Sequence, residues 1–192
     1  MTPSDLGVVI LAGGEATRLP DKLEIDAGGT PLILRVYQNV RAAGPVYVSA
    51  RGSFGADIDA ALECPLIIDR WPRRGPLAAL YSTLEYVREP RVFVTAADAP
   101  FVTADVAAEL CSLWEPGIQA VVPVNREGHL EPLCALYDRA ALVEAAGAVL
   151  REGSGGVATA VERLRSKRVR LSEERVFANV NTAADRHSFL EA

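Results

Sequence analysis

The stretch Val9-Ile10-Leu11-Ala12-Gly13-Gly14-Glu15-Ala16-Thr17-Arg18-Leu19-Pro20-Asp21-Lys22 is where chemistry is first legible in this chain. An apolar run ends in two glycines, and an arginine and a lysine follow closely. A buried strand that opens into a glycine turn can aim backbone N–H groups at an anion, because no side chain holds the ligand away. Arg18 and Lys22 would add positive charge at the same spot. Such a loop suits a nucleoside triphosphate, part of which is bound and transferred. The other reading is a turn made for packing alone, which a bare Gly13-Gly14 pair also serves. The loop is neither Gly-x-x-x-x-Gly-Lys-Ser/Thr nor Gly-x-Gly-x-x-Gly, so the better-known phosphate motifs are absent.

Three further groups carry candidate chemistry. Asp98 ends the most apolar strand-like run, in Thr95-Ala96-Ala97-Asp98-Ala99-Pro100-Phe101. A carboxylate there can hold Mg²⁺, which favours one or two carboxylates plus phosphate oxygens and water. It can equally cap a turn, since Asp-Ala-Pro starts turns well. Asp69 follows another apolar run and could accept hydrogen bonds from a base edge, or cap its own loop. Trp71 beside it could shelve a base or anchor the loop. Asn179-Val180-Asn181-Thr182 precedes a helix-like segment, and its amides could face a substrate or fold back onto their own backbone.

These groups need a scaffold that brings them together, and the apolar periodicity supplies one. Short continuous apolar runs predict strands at 7–12, 46–49, 65–68, 91–97 and 120–124. Helical periods predict helices at 32–43, ending at Gly44, and at 54–62, 76–87 and 104–113. Thr103 is a suitable N-cap with Asp105 in the first turn, and Pro76 suits a first helical turn. Strands such as Val92-Phe93-Val94 imply burial on both faces, as in a parallel sheet. Beyond 124 the pattern becomes a hairpin, with a turn at Asn125-Arg126-Glu127-Gly128 and a return run over 129–137. Helices at about 139–149 and 156–165 follow, then short strands at 168–171 and 175–178. A last helix starts from Ala183, with Thr182 as its cap and Asp185 near a capping box. The expected architecture is three-layer α/β/α: a mostly parallel, Rossmann-like sheet with a small antiparallel hairpin extension, in one domain spanning 1–192. In such sheets ligands bind beyond the carboxyl ends of the strands, and the candidate groups all fall there.

Bulk properties narrow the function. A net charge of −5 argues against nonspecific nucleic-acid binding. The basic run at 163–170, with Arg165, Lys167, Arg168 and Arg170, is read as a solvated helix end or as a phosphate contact. Apolar stretches are too short for a transmembrane helix and no signal peptide is read, so a cytoplasmic protein without membrane contact is expected. Cys64, Cys111 and Cys134 are widely spaced among apolar residues, as buried free thiols in a reducing compartment would be. His129 and His187 are the only histidines, too few for a zinc site or a His-based triad.

Five segments taken in order resemble one family. They are Leu11-Ala12-Gly13-Gly14…Arg18…Asp21-Lys22, Gly75-Pro76-Leu77-Ala78, Asp98-Ala99-Pro100-Phe101, Pro132-Leu133-Cys134-Ala135-Leu136-Tyr137 and Asn179-Val180-Asn181-Thr182. Together they resemble the molybdenum cofactor guanylyltransferases of the MobA type, within the wider sugar-nucleotidyltransferase-like group. The resemblance implies transfer of GMP from GTP to molybdenum-bearing molybdopterin, with Mg²⁺ as cofactor and release of pyrophosphate. It implies that Leu11, Ala12, Gly13 and Gly14 line the nucleotide, with Ser49, Gly75, Pro76 and Leu77 beside them. Asp69 would read guanine, Asp98 would bind the metal and contact the nucleotide, and Lys22 and Arg18 would meet the phosphates. Asn179, Asn181, Thr182 and the 126–132 hairpin would face the pterin. Transient contact with molybdenum-insertion proteins or molybdoenzymes is a further implication. The chain departs from the family pattern in a shorter loop containing Pro20, in Ser49 where asparagine is common, and in Ala79 in place of glycine. A sister transferase using CTP or another phosphorylated acceptor is the nearest rival, and a noncatalytic nucleotide-binding protein the next.

Overall fold

The computed structural model describes residues 5–12, 30–71 and 75–180. Its centre is a sheet in the order β3-β2-β1-β4-β6-β5-β7. The strands are β1 (Leu6–Leu11), β2 (Val46–Ala50), β3 (Leu66–Ile68), β4 (Arg91–Ala96), β5 (Ala120–Pro123), β6 (Cys134–Asp138) and β7 (Ser166–Val169). β1 pairs in parallel with β2 and β4, and β2 with β3; β6 runs antiparallel to both β4 and β5. β7 returns parallel to β5 at the edge.

Alternation along each strand sends successive side chains to opposite faces. In β1, Val8 and Ile10 enter one apolar cluster, and Val9 and Leu11 enter the other. Both clusters are sealed by helices, which is why these strands read as continuous apolar runs. The first face carries α1 (Leu32–Val40), α2 (Ala56–Ala61) and α4 (Ala104–Ser112); the second carries α3 (Gly75–Leu84), α5 (Arg139–Glu152) and α6 (Val157–Val161). From β1 the chain winds outward through β2 to β3. It then crosses by α3, on the opposite face, to β4 on the other side of β1. The strand order therefore reverses between β1 and β4, and this is the topological switch point where open α/β sheets bind ligands.

The expected three-layer architecture is the one observed, with several local differences. The helix predicted to run to Ala43 ends at Val40, and a tight 3₁₀ turn (Arg41–Ala43) finishes it. Thr103 sits at the N-cap of α4 in extended geometry, but its hydroxyl makes no capping hydrogen bond. The side-chain cap that does form is at α5, where Asp138, the last residue of β6, accepts from the Ala141 N–H at 2.8 Å. The helix expected over 156–165 is the short α6. The strand expected over 175–178 is a 3₁₀ turn (Glu174–Phe177), in which Val176 is buried in the core, at 3% exposure, and Phe177 packs half-buried against it. The basic run lies on and around β7 rather than at a helix end. Of the cysteines only Cys134 is buried; Cys64 and Cys111 are half-buried. The last helix, predicted from Ala183, lies outside the described residues. Among the described residues, no helix is long and apolar enough to cross a membrane.

Candidate active site

The carboxyl ends of β3, β2, β1 and β4 stand level. Leu11 is in register with Ser49 on one side and Ala96 on the other, and Ala50 with Ile68. The hydrogen bonds run on past the strands. The Ala12 N–H donates to Ser49 O at 2.8 Å, the Ala97 N–H to Leu11 O at 3.0 Å, and the Asp69 N–H to Ala50 O at 2.8 Å. Asp69 and Asp98 thus leave the same edge of the sheet on either side of Ala12. Their backbones are three strand spacings apart, or about 14 Å. That is room for a base at one end and phosphates at the other.

Asp69 is buried, at 7% exposure, and its Oδ1 accepts the Trp71 N–H at 2.8 Å. This is an Asx turn, and it uses one of two carboxylate oxygens. Trp71 is itself exposed and tilts toward Tyr81 of α3, with ring centroids 6.3 Å apart. Asp98 begins the turn after β4 and is half-buried. The Val180 N–H donates to Asp98 O at 2.9 Å, so the segment containing Asn179 lies against this turn. Asn179 is exposed.

The other candidates fall into distinct environments. Gly75, at φ +79°, opens α3 from the same edge, with Pro76 exposed behind it. A helix N-terminus there presents backbone N–H groups and the positive end of the helix dipole. Leu77 is a core side chain, and Leu11 is nearly so. Ser49 is fully buried and its hydroxyl donates to Ala79 O of α3 at 3.5 Å, so its side chain faces the sheet–helix interface. Gly13, Gly14, Arg18, Lys22, Asn181 and Thr182 lie outside the described residues.

The hairpin between β5 and β6 reaches the same edge, because Cys134 pairs with Thr95 near the end of β4. Asn125 builds its tip. Its Oδ1 accepts the Glu127 and His129 N–H groups, and its Nδ2 donates to Glu131 Oε1 at 2.8 Å. Gly128 takes φ +86° to close the turn. Burial raises the Glu131 carboxyl above the usual carboxylate range, and the Asn125 bond pulls partly against it. Sequence reading missed Asn125 and Glu131 as a pair; the Asn-x-x-Gly spacing was the available signal.

Several groups are excluded from covalent or base roles. Burial pushes the Cys134 thiol up to about 12 and Cys64 up to about 11, so neither offers a thiolate near neutral pH. His129 is exposed on the hairpin and pairs with Glu127 at 3.3 Å. Part of the basic run is engaged in structure: Arg163 pairs with Glu152, Arg165 Nε donates to Gly117 O at 2.8 Å, and Lys167 pairs with Glu115. Arg168 and Arg170 are exposed, and the run lies at the β7 edge, away from the β1–β4 opening. No group of three or more His, Cys, Asp or Glu side chains converges among the described residues. A lone carboxylate such as Asp98 at this edge nevertheless fits Mg²⁺, which takes few protein ligands and completes its shell with phosphate and water.

Solved structures share this architecture. A molybdopterin-guanine dinucleotide biosynthesis protein A from Archaeoglobus fulgidus superposes with a TM-score of 0.79 at 24% identity, covering 96% of this chain and 97% of its own. A 2-C-methyl-D-erythritol 4-phosphate cytidylyltransferase from Thermus thermophilus gives 0.71 at 19% identity, over 95% and 96%. At these identities the likeness is one of fold, a three-layer α/β architecture open at one strand edge. Sequence relatives narrow the class. A probable molybdenum cofactor guanylyltransferase of Natronomonas pharaonis is 31% identical over 92% of this chain and 93% of its own length. A molybdenum cofactor guanylyltransferase of Ralstonia nicotianae is 28% identical over 98% and 97%. The chain belongs to the MobA-like NTP transferase domain family, whose model matches residues 8–169.

Proposed function

We infer that this enzyme transfers GMP from GTP to the terminal phosphate of molybdenum-bearing molybdopterin, releasing pyrophosphate in a Mg²⁺-dependent reaction. The observation that carries this reading is the level strand edge, with Asp69 and Asp98 on either side of Ala12, in a chain whose relatives are named guanylyltransferases. The acceptor is already an anion, so the attack on the α-phosphorus needs no strong general base. That agrees with a described site that offers neither a thiolate nor a buried histidine. What the reaction needs is alignment and charge neutralisation.

The chain's own groups divide that work. Asp69 takes the N1–H and N2 edge of guanine. The backbone of Leu11, Ala12, Gly13 and Gly14 lines the nucleotide, and the Gly75-Pro76-Leu77 helix start walls it. Ser49 contributes as packing beneath the nucleotide rather than as a ligand. Lys22 and Arg18 offset charge on the phosphates. Asp98 holds Mg²⁺, which when bound neutralises phosphate charge. Asn179, Asn181, Thr182 and the 126–132 hairpin hold the pterin. Contact with molybdenum-insertion or molybdoenzyme proteins would follow from the need to receive and deliver such a cofactor.

Calorimetric titration with GTP, CTP and ATP, each with Mg²⁺, tests the donor. GTP should bind best, and Asp98→Ala should abolish transfer without lowering the melting temperature. A preference for CTP would move the enzyme to the cytidylyl side of the fold, and an active Asp98→Ala variant would remove the metal assignment.

A further inference from the structure

The turn that carries Asp98 is held from three directions. From α1, Asn39 Nδ2 donates to Pro100 O at 2.8 Å. From the C-terminal segment, the Val180 N–H donates to Asp98 O at 2.9 Å. From the 3₁₀ turn, the Arg175 guanidinium lies over the Phe101 ring, 4.0 Å from its centroid. The 3₁₀ turn is itself anchored. Val176 is in the core, Glu174 pairs with Arg126 of the hairpin at 3.1 Å, and Ser172 bonds Glu109 of α4 through both its N–H and its hydroxyl. Arg175 is exposed, so nothing about burial obliges its side chain to lie on the ring. Attraction between the cation and the ring face accounts for the placement.

We propose that Arg175 is a positioning residue for the transfer reaction: through Phe101 it registers segment 174–180 against the Asp98 turn, so that the Asp98 carboxylate and Asn179 are presented together. This rests on the reading of Asp98 as the metal ligand. Phe101 lies three residues after Asp98, and Val180 four residues after the turn's last helical residue but one, so one contact between Arg175 and Phe101 joins two chain segments that are distant in sequence. Both ends of that link sit at the strand edge where donor and acceptor must meet. Neutralising Arg175 would leave both apolar clusters intact and would free only the register of the segment.

Two variants test the cation. Arg175→Met keeps an unbranched apolar stem and removes the cation, while Arg175→Lys keeps a cation. Two readouts are taken: hydrogen exchange of the Val180 amide, and Mn²⁺ affinity at saturating GTP by electron paramagnetic resonance. The Met variant should exchange Val180 faster by about threefold, the equilibrium weight of one exposed cation–π contact, and should bind Mn²⁺ more weakly. The Lys variant should recover most of both, and the melting temperature should fall by no more than about three degrees in each. Wild-type Mn²⁺ affinity in the Met variant, or equal losses in Met and Lys, would overturn the role of Arg175. A wild-type protein that binds GTP without Mn²⁺ enhancement would overturn the Asp98 reading first, and the Arg175 role with it.

Discussion

Asp69 and Asp98 are the same residue type at equivalent strand ends, yet their surroundings differ, as the different roles proposed for them require. Asp69 is buried and committed through one oxygen to its own loop, which fixes where its second oxygen points. That is what base recognition requires: an acceptor that cannot swing away. Asp69→Asn converts one acceptor into a donor and should cost GTP binding on the order of tenfold or more, while CTP binding changes little; competition titrations of the two nucleotides would measure it. Glu131 makes a second residue-scale prediction. Its folded-state pKa is raised, so it favours folding only while protonated. That contribution is fully present below the unfolded carboxylate value of about 4.3 and is lost as pH rises through the folded value. Glu131→Gln stays neutral and should therefore gain stability relative to wild type between acid and neutral pH. Denaturant midpoints at both ends of that range would show it, and a constant difference would count against the assignment.

At the scale of elements, β4 is the strand on which the site depends, since it pairs with β1 on one side and β6 on the other. Phe93 lies fully buried in its middle. Phe93→Ala should cost about 3–5 kcal/mol in chemical denaturation. Much of this level was legible in sequence. Doubly buried strands show as unbroken apolar runs, and Val92-Phe93-Val94 could be little else. The Asn-x-x-Gly turn announced the hairpin. Less legible were segments whose state depends on neighbours. Arg175-Val176-Phe177-Ala178 alternates like a strand, but among the described residues no strand pairs with it, and the segment closes into a 3₁₀ turn with Val176 and Phe177 against the core. The 163–170 run looked like a solvated helix end, and only the sheet order shows that it leads into an edge strand, with Lys167 tied to Glu115 and Arg165 to Gly117. Ser49 had the right position in the chain for a nucleotide contact, but strand alternation points its hydroxyl beneath α3. The end of β1 and the turn at Asp98 were legible as a pair because parallel strands put their chemistry at one edge. The hydrogen bond that brings Val180 to Asp98 joins two loops and left no local pattern to read.

The molecule as a whole is two apolar clusters sharing one sheet. Neither cluster can lose its helices without exposing the strands that support the other. We therefore expect one cooperative transition in denaturant, with tryptophan fluorescence from Trp71 and Trp114 and far-ultraviolet dichroism tracing the same curve. Two separated transitions would divide the chain into independent domains. The bond from Val180 to Asp98 has a consequence for how the protein is made. The sheet core from β1 to β4 leaves the ribosome ahead of that bond's Val180, and the edge proposed to face the nucleotide can form early. The segment that closes against Asp98 emerges only after β5, β6 and β7. A nascent chain can thus hold a folded core well before it holds a finished site, and chemistry waits until the segment carrying Val180 has been made.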